Sequence, residues 1–506
     1  MSDAQGRSAA APPIESGGLR GTWTAPSPSA GWPGERRSGT TSALLLAVHV
    51  AALSPIWLWY GHRITDGSDE PWGLVALVAV LLLVWAQRNS IRAQVDTGLL
   101  IAGAAVTLFS AASTPWLPAL VRAAIGVTGL ALTLTGVLER SRPLLPLWAL
   151  LLLSLPVIAS LQFYAGYPLR LFTAWASQAL LWVSGLTLDR TGVALTWAGR
   201  SVLVDAPCSG VQMLWVGMFL NALLSFLRRA CALRFALNAA ATLGVVLTAN
   251  VLRNAILVVK EAGIVAMPAW THTGVGLATF LVTALAIATL VRWKMPAGVQ
   301  KAGIAVLAGP APQGQCGSGS PTPRAPAVSS TTFNASRASG LTFLALIVLA
   351  ALVPLRTSAE SSVGSRRQEE PAWPLVFQGR PLERVALSAL DRRFAAQLPG
   401  HVARFTDGER HLIVRAIGEP TRLLHPAADC FKGLGYRVER PRVMTDADAT
   451  AWGCFAAERD GRSLNVCERI SDREGASWTD VSAWYWAALL GRTRGPWLAV
   501  TVATAR

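Results

Sequence analysis

The chain has 506 residues, 52% of them hydrophobic and 15% charged, with a formal net charge of +16. A soluble chain of average composition carries about 25% charged residues, so an ordinary soluble globular protein is excluded. The basic excess sits in short clusters between apolar runs, and no zinc-finger or RNA-binding signature accompanies it, which points to membrane topology and away from nucleic acid.

Residues 1–40 are rich in Gly, Pro, Ser and Ala. They read as a disordered cytoplasmic tail rather than a signal peptide, because the first apolar run starts only near Thr41. From there, bilayer-spanning helices of about 20 apolar residues fit residues 41–60, 71–87, 97–113, 117–138, 143–165, 209–227, 235–259 and 272–291, with a shorter one at 340–355. The expected fold is a polytopic α-helical membrane protein. It has about eight core spans within residues 41–294, an extra span at 340–356, and a soluble α+β domain after it.

The basic clusters orient the spans. Arg36 and Arg37, Arg88 and Arg92, Arg140 and Arg142, Arg228, Arg229 and Arg234, and Arg292 and Lys294 all fall on the cytoplasmic side if the N-terminus does. Asp66, Asp69 and Glu70 then occupy the first external loop. The expected location is the inner (cytoplasmic) membrane, multi-pass, with the lipid bilayer as a partner. Residues 168–188 are apolar enough to span, but a span there would invert everything downstream, so they read as an interfacial or re-entrant helix on the outer side. The stretch "TGVALTWAGRSVLVDAP" then reads as a short hairpin around Gly199 that delivers the chain to Cys208.

Residues 295–339 contain no acidic residue and many Gly, Pro and Ser, the composition of a flexible cytoplasmic linker. Residues 357–506 form the expected extracytoplasmic domain. "HLIVRAI" predicts a strand, "SWTDVSAWYWAALL" a helix with Thr479 or Ser477 near its start, and "AWGCFAAERDGRSLNVCERI" a hairpin turning at Asp460-Gly461. A two-residue turn there sets Cys454 opposite Cys467 in a non-hydrogen-bonded pair, close enough for a disulfide in an oxidising compartment. Two buried free thiols are the alternative.

Three residues converge on one side of the predicted topology. Cys208 stands at the outer mouth of the sixth span. Arg253 lies about six residues, or roughly 9 Å, short of the seventh span's outer end. His272 opens the eighth span from outside. Singly, each has a plain reading: a packing cysteine, a snorkelling arginine, an interface histidine. Together they fit acyl transfer on a peptide bond. Cys208 is the nucleophile, favoured as thiolate by a helix beginning at Pro207; His272 is the acid/base; Arg253 holds an oxyanion or carboxylate. No cofactor or metal is expected, since the cysteines form no CxxC pair. Cys231 and Cys316 face the cytoplasm in this topology.

"CSGVQML" at 208–214, "NVLRN" at 250–254 and "HTGVG" at 272–276 resemble the three motifs of the exosortase/archaeosortase family. The resemblance covers roughly residues 41–294. It implies a membrane cysteine endopeptidase or transpeptidase with Cys208, Arg253 and His272 as catalytic residues. Gln212, Asn250 and Asn254 are assigned to substrate binding beside them. Implied partners are membrane-anchored substrate proteins with C-terminal sorting signals: a short motif, one span and a basic end. The implied setting is exopolysaccharide production or surface-protein sorting. "LHPAADCFKGLGYRV" at 424–438 is similar to the extracytoplasmic exosortase-associated domain, with tyrosine where tryptophan is expected. His425 and Cys430 in it are either a second nucleophile or a substrate-binding motif or, the favoured reading, a structural cysteine in a loop packed beneath the hairpin or a partner for an external thiol. The competing function for the whole chain is a non-catalytic membrane component of polysaccharide export with an outer binding domain.

Overall fold

The computed structural model describes residues 33–65, 71–88, 95–138, 144–204, 206–268, 270–293, 337–357, 370–396, 398–439, 442–446 and 448–505. The tail before residue 33 and the linker between 294 and 336 lie outside the described residues. Helices α1 (Pro33–Ala52), α2 (Ser54–Thr65), α3 (Trp72–Ala86), α4 (Thr97–Ala112), α5 (Ala119–Val137), α6 (Leu144–Leu153), α7 (Ile158–Tyr164) and α8 (Gly166–Val183) lead to a small antiparallel sheet of β1 (Asp189–Thr191), β2 (Ala194–Trp197) and β3 (Arg200–Leu203). Helices α9 (Val211–Leu227), α10 (Ala232–Glu261), α11 (Thr271–Arg292) and α12 (Arg337–Thr357) follow. The first of the 40 residues assigned to the tail to be described, Pro33, already opens α1.

Among the described residues, three helices (α5, α10 and α11) are long and apolar enough by length and composition to cross a bilayer alone, or up to five spans if each of two bent pairs counts as one. Four shorter apolar helices stand beside them: α3, α4, α9 and Ser339–Val353 within α12. The bends have local causes. The pair α1–α2 turns by 58° where Pro55 enters, and α6–α7 turns by 82° just before and at Pro156, because proline lacks the amide donor and clashes with the preceding turn. The straight span expected over 143–165 is therefore two helices at nearly a right angle. Close helix contact elsewhere rests on small residues. A Cβ on Gly103 would stand 2.7 Å from the Gly129 carbonyl oxygen, and one on Gly129 the same distance from that of Gly103, so α4 and α5 touch backbone to backbone. Between them His49 of α1 bridges Thr107 and Thr133, each at 2.8 Å.

Helix α8 is no ordinary apolar rod. Its buried face carries Arg170, Thr173, Ala174, Ser177 and Leu181 at helical spacing, while Trp175 and Trp182 are exposed. Of that buried polar stripe, Thr173 and Ser177 find partners on α10, and Arg170 finds one in Asp480. The expected hairpin before Cys208 gains a third strand, β1, and its tight turn is Ala198-Gly199, both at positive φ.

The C-terminal region is built on a twisted antiparallel sheet. Its spine runs β10 (Arg442–Thr445), β11 (Ala451–Arg459), β12 (Arg462–Ser471), β14 (Trp497–Ala505), β8 (Arg410–Ile417), β7 (Gly400–Thr406) and β6 (Glu383–Val385), where β4 (Val376–Phe377) and β5 (Arg380–Pro381) form a separate pair. β9 (Arg437–Val438) and β13 (Ser477–Trp478) pair along its edge regions. The β11–β12 hairpin turns at Asp460-Gly461, both left-handed, and sets Cys454 opposite Cys467. One face packs Phe405, Leu412, Val414, Trp452 and Cys454; the other receives helices α13 (Ala389–Ala395), α14 (Ala427–Gly433) and α15 (Val481–Leu489). The N-cap of α15 is Asp480, which accepts the Ala483 amide at 2.8 Å, rather than Thr479 or Ser477.

This region is seated on the α7–α8 break at Ala165. Phe163 of α7 joins its apolar core with Leu398, Ile417, Trp484 and Trp497. Ser482 Oγ and Trp486 Nε1 donate to the carbonyls of Phe163 and Tyr164 at 2.5 and 2.8 Å. These are the carbonyls that the helix break frees, so the C-terminal region caps a broken helix end.

Candidate functional site

Cys208 lies in a single 3₁₀ turn, Ala206–Ser209, and is only 4% exposed. The helix expected to start at Pro207 starts instead at Val211, because Gly210 takes φ +81°. The thiol therefore precedes the helix and does not sit in its first turn. A side chain at 210 is doubly disfavoured: the left-handed φ strains any Cβ, and that Cβ would lie 3.0 Å from Asn250 Cγ.

The turn is fixed by polar ties. Asn250 of α10 donates from Nδ2 to the Cys208 carbonyl at 2.9 Å and to Thr173 Oγ1 at 3.1 Å. Since the carbonyl can only accept, this contact sets the amide orientation. Ser209 Oγ donates to Gln162 Oε1 of α7 at 3.0 Å and accepts the Val211 amide at 3.3 Å. One turn along α10, Asn254 donates to Ser177 Oγ of α8 at 3.2 Å. The donors of both asparagines that the sequence assigned to substrate are thus spent on holding α8, α10 and the cysteine turn together. Gln212 is part-buried in the first turn of α9.

The other two members of the predicted trio come from α10 and α11. Cys208 shares an apolar cluster with Ala174, Val204 and Leu257, and Val275 packs against it. Leu257 is one turn past Arg253, and Val275 is three residues past His272. The Arg253 guanidinium lies on α11: its Nη2 is 3.6 Å from where a Cβ on Gly276 would stand, one turn from His272. The thiol, guanidinium and imidazole thus come from three elements that pack against one another. Helix α10 runs to Glu261, so Arg253 is eight residues from its end, about 12 Å rather than 9 Å.

Arg253 Nε is buried without a hydrogen-bond partner. Buried donors are nearly always satisfied, so such an atom marks a place for an acceptor. His272 Nδ1 lies 3.6 Å from Glu261 Oε1, an ion-pair distance. Sequence reasoning missed Glu261, yet a signal existed: it is the only acidic residue between positions 209 and 294. It also missed Thr173, Ser177 and Gln162, which carry no motif and become visible only through their partners.

The second thiol–imidazole pair is in direct contact. His425 Nε2 is 2.9 Å from Cys430 Sγ, and its Nδ1 is 3.0 Å from the Leu423 carbonyl. Burial pushes the Cys430 thiol up to about 11 and holds the His425 imidazole below its ordinary value. Cys454 and Cys467 are joined by a disulfide, with Cα atoms 4.0 Å apart. Among the described residues, no three His, Cys, Asp or Glu side chains gather as a metal site.

Residues 64–289, which hold Cys208, Arg253 and His272, match the family model described as transmembrane exosortase. No curated protein and no solved structure matches the chain. Exosortases are in general cysteine transpeptidases of membrane sorting. Over this helical core, the chain is similar to the transmembrane exosortase family.

Proposed function

We propose that the protein is a cysteine endopeptidase/transpeptidase of the inner membrane, with about eight core spans, that cleaves C-terminal sorting tails at the outer membrane face. In this reading Cys208 Sγ attacks the scissile carbonyl while His272 takes the thiol proton. Arg253 donates to the oxyanion of the tetrahedral intermediate. His272 then protonates the leaving amine, and a thioester remains on Cys208. Water or an acceptor amine resolves it. Glu261 orients His272 through Nδ1 and favours the imidazolium that forms on attack. The setting is exopolysaccharide production or surface-protein sorting, and the substrates carry a short motif, one span and a basic end.

The observation that carries this reading is the unpartnered Arg253 Nε, set on α11 one turn from His272 and one turn along α10 from a residue packed with Cys208. The topology draws support from one end of the bundle. The α7–α8 break, the cysteine turn bonded to it and the C-terminal region all lie together, as expected if that end is external.

The test is cleavage of a co-expressed reporter whose tail has a short motif, one span and a basic end. Cys208→Ala is expected to abolish cleavage while membrane yield stays unchanged. Arg253→Gln is expected to slow it about 100-fold or more, the scale of losing an oxyanion donor. Undiminished cleavage in Cys208→Ala refutes the enzyme reading.

A further inference from the structure

The C-terminal region contains a thiol site that the core chemistry does not use. His425 Nδ1 faces the Leu423 carbonyl at 3.0 Å. A carbonyl only accepts, so Nδ1 carries the ring proton and Nε2 presents its lone pair. Cys430 Sγ, 2.9 Å away, then donates its S–H to Nε2. Phe394 stands edge-on to the imidazole at a 5.3 Å centroid distance and fixes the ring's plane. Cys430 is half-buried, less enclosed than Cys208. A packing cysteine needs none of this; a nucleophile needs each part.

A buried cation completes the site. Arg415 of β8 is 5% exposed and has one hydrogen-bond partner, Thr501 Oγ1 at 2.6 Å. Its Nε is buried without a partner. Thr501 is the cross-strand partner of Glu468, so Arg415 shares the sheet face that receives the helix carrying Cys430. Glu468, on the same sheet face, is engaged elsewhere, accepting the Ala427 amide at 2.8 Å, and so pins the start of the helix that carries Cys430.

We propose that Cys430 and His425 form a second acyl-transfer site, in which Cys430 takes an acyl group from a thioester donor and Arg415 stabilises the anionic intermediate. The donor's carbon–sulfur bond breaks as the Cys430 Sγ–carbon bond forms. The Cys430 proton passes to His425 Nε2 and then to the departing thiol. Nothing is oxidised or reduced.

The thioester class follows from the resting state. With the ring proton held on Nδ1 by the Leu423 carbonyl and the thiol proton directed at Nε2, the pair rests neutral and offers no standing thiolate, and burial acts in the same direction. An activated carbonyl with a good leaving group suits such a nucleophile better than an amide. Disulfide exchange is disfavoured by place. Side chains alternate along a strand: Glu468 faces Cys430's helix, so its neighbour Cys467 and the disulfide to Cys454 lie on the opposite sheet face, with Phe405 and Trp452.

The experiment uses the full-length Cys208→Ala protein in detergent, with phenyl thioacetate as the probe and peptide mass mapping as the readout. The expected result is acetylation at Cys430, slowed about 100-fold in His425→Gln, the usual scale of a lost general base. Iodoacetamide labelling of Cys430 and the melting temperature are measured in parallel, so a misfolded variant is recognised. Arg415→Met provides a second arm, with acetylation slowed at least about tenfold and alkylation unchanged. The proposal is overturned if Cys430 is alkylated but never acetylated, or resists both reagents. It is also overturned if acetylation is equally fast without His425. The Cys208→Ala background keeps the result independent of chemistry in the core.

Discussion

Arg170 of α8 and Asp480 at the start of α15 meet at 2.9 Å across the boundary between the helical core and the C-terminal region. Asp480 uses its other oxygen to cap α15 through the Ala483 amide. Arg170 is 6% exposed, so a loss of its partner strands a buried cation. The same stretch of α8 presents Thr173 to the asparagine that holds the Cys208 carbonyl. The contact that seats the C-terminal region therefore lies one turn from the support of the candidate nucleophile.

Asp480→Ala is expected to destabilise the protein by about 2 kcal/mol, a buried-pair value reduced because the carboxylate is about one-third exposed, plus the lost cap. Arg170→Met, which removes the cation and keeps the stem, should cost less. Thermal unfolding in detergent ranks the two variants; equal losses would mean that the ion pair does not connect the two parts.

Gly210→Ala is expected to impair the cysteine turn. It forces an L-residue to φ +81° and drives a Cβ to 3.0 Å from Asn250. The backbone strain alone costs about 1–2 kcal/mol. Reporter cleavage should fall at least about tenfold while the protein stays membrane-inserted. Wild-type cleavage in this variant would show that the turn has more freedom than its ties suggest.

Much of this was legible in the sequence, and the misses share a cause. Apart from α1, which opens eight residues before the first expected span, the apolar runs located the helices to within a few residues. The Asp460-Gly461 turn fixed the hairpin register and with it the pairing of Cys454 and Cys467. Hydropathy could not show the right-angle bend at Pro156, because the apolar run continues through it. The inward polar face of α8 went unread for a related reason: Arg170, Thr173 and Ser177 count as polar wherever they point. Helix α9 was expected to start at Pro207, but a glycine in the left-handed region delays it by four residues. Glu261 was overlooked because it belongs to no motif; its role comes from standing 3.6 Å from His272.

Glu261→Gln is expected to lower cleavage about 10–100-fold by loosening the orientation of His272, on the scale of lost histidine partners at other sites. The loss should fall on turnover more than on apparent substrate affinity, and Glu261→Asp should restore part of it. A variant as active as wild type would remove Glu261 from the mechanism.

The C-terminal region should lose stability as pH rises. Burial pushes the Glu468 carboxyl up from 4.5 to about 7. The folded form thus holds a proton that the unfolded chain releases earlier, and stability is full below about pH 4.5 and falls toward pH 7. Glu468→Gln removes the charge and should flatten that slope. Denaturant midpoints between pH 4 and pH 8 (values chosen to bracket about this window) check it; an unchanged slope in Glu468→Gln assigns the pH dependence to another group.

The central claim is that Cys208 carries the acyl group. Its most direct test is acid quenching of membranes that hold the wild-type protein and the tailed reporter, followed by mass mapping of the peptide containing residue 208. The account predicts the reporter's N-terminal fragment attached to Cys208 as a hydroxylamine-labile thioester, absent from Cys208→Ala. Continued cleavage in Cys208→Ala, or the fragment attached to any other residue while Cys208 stays free, would contradict it.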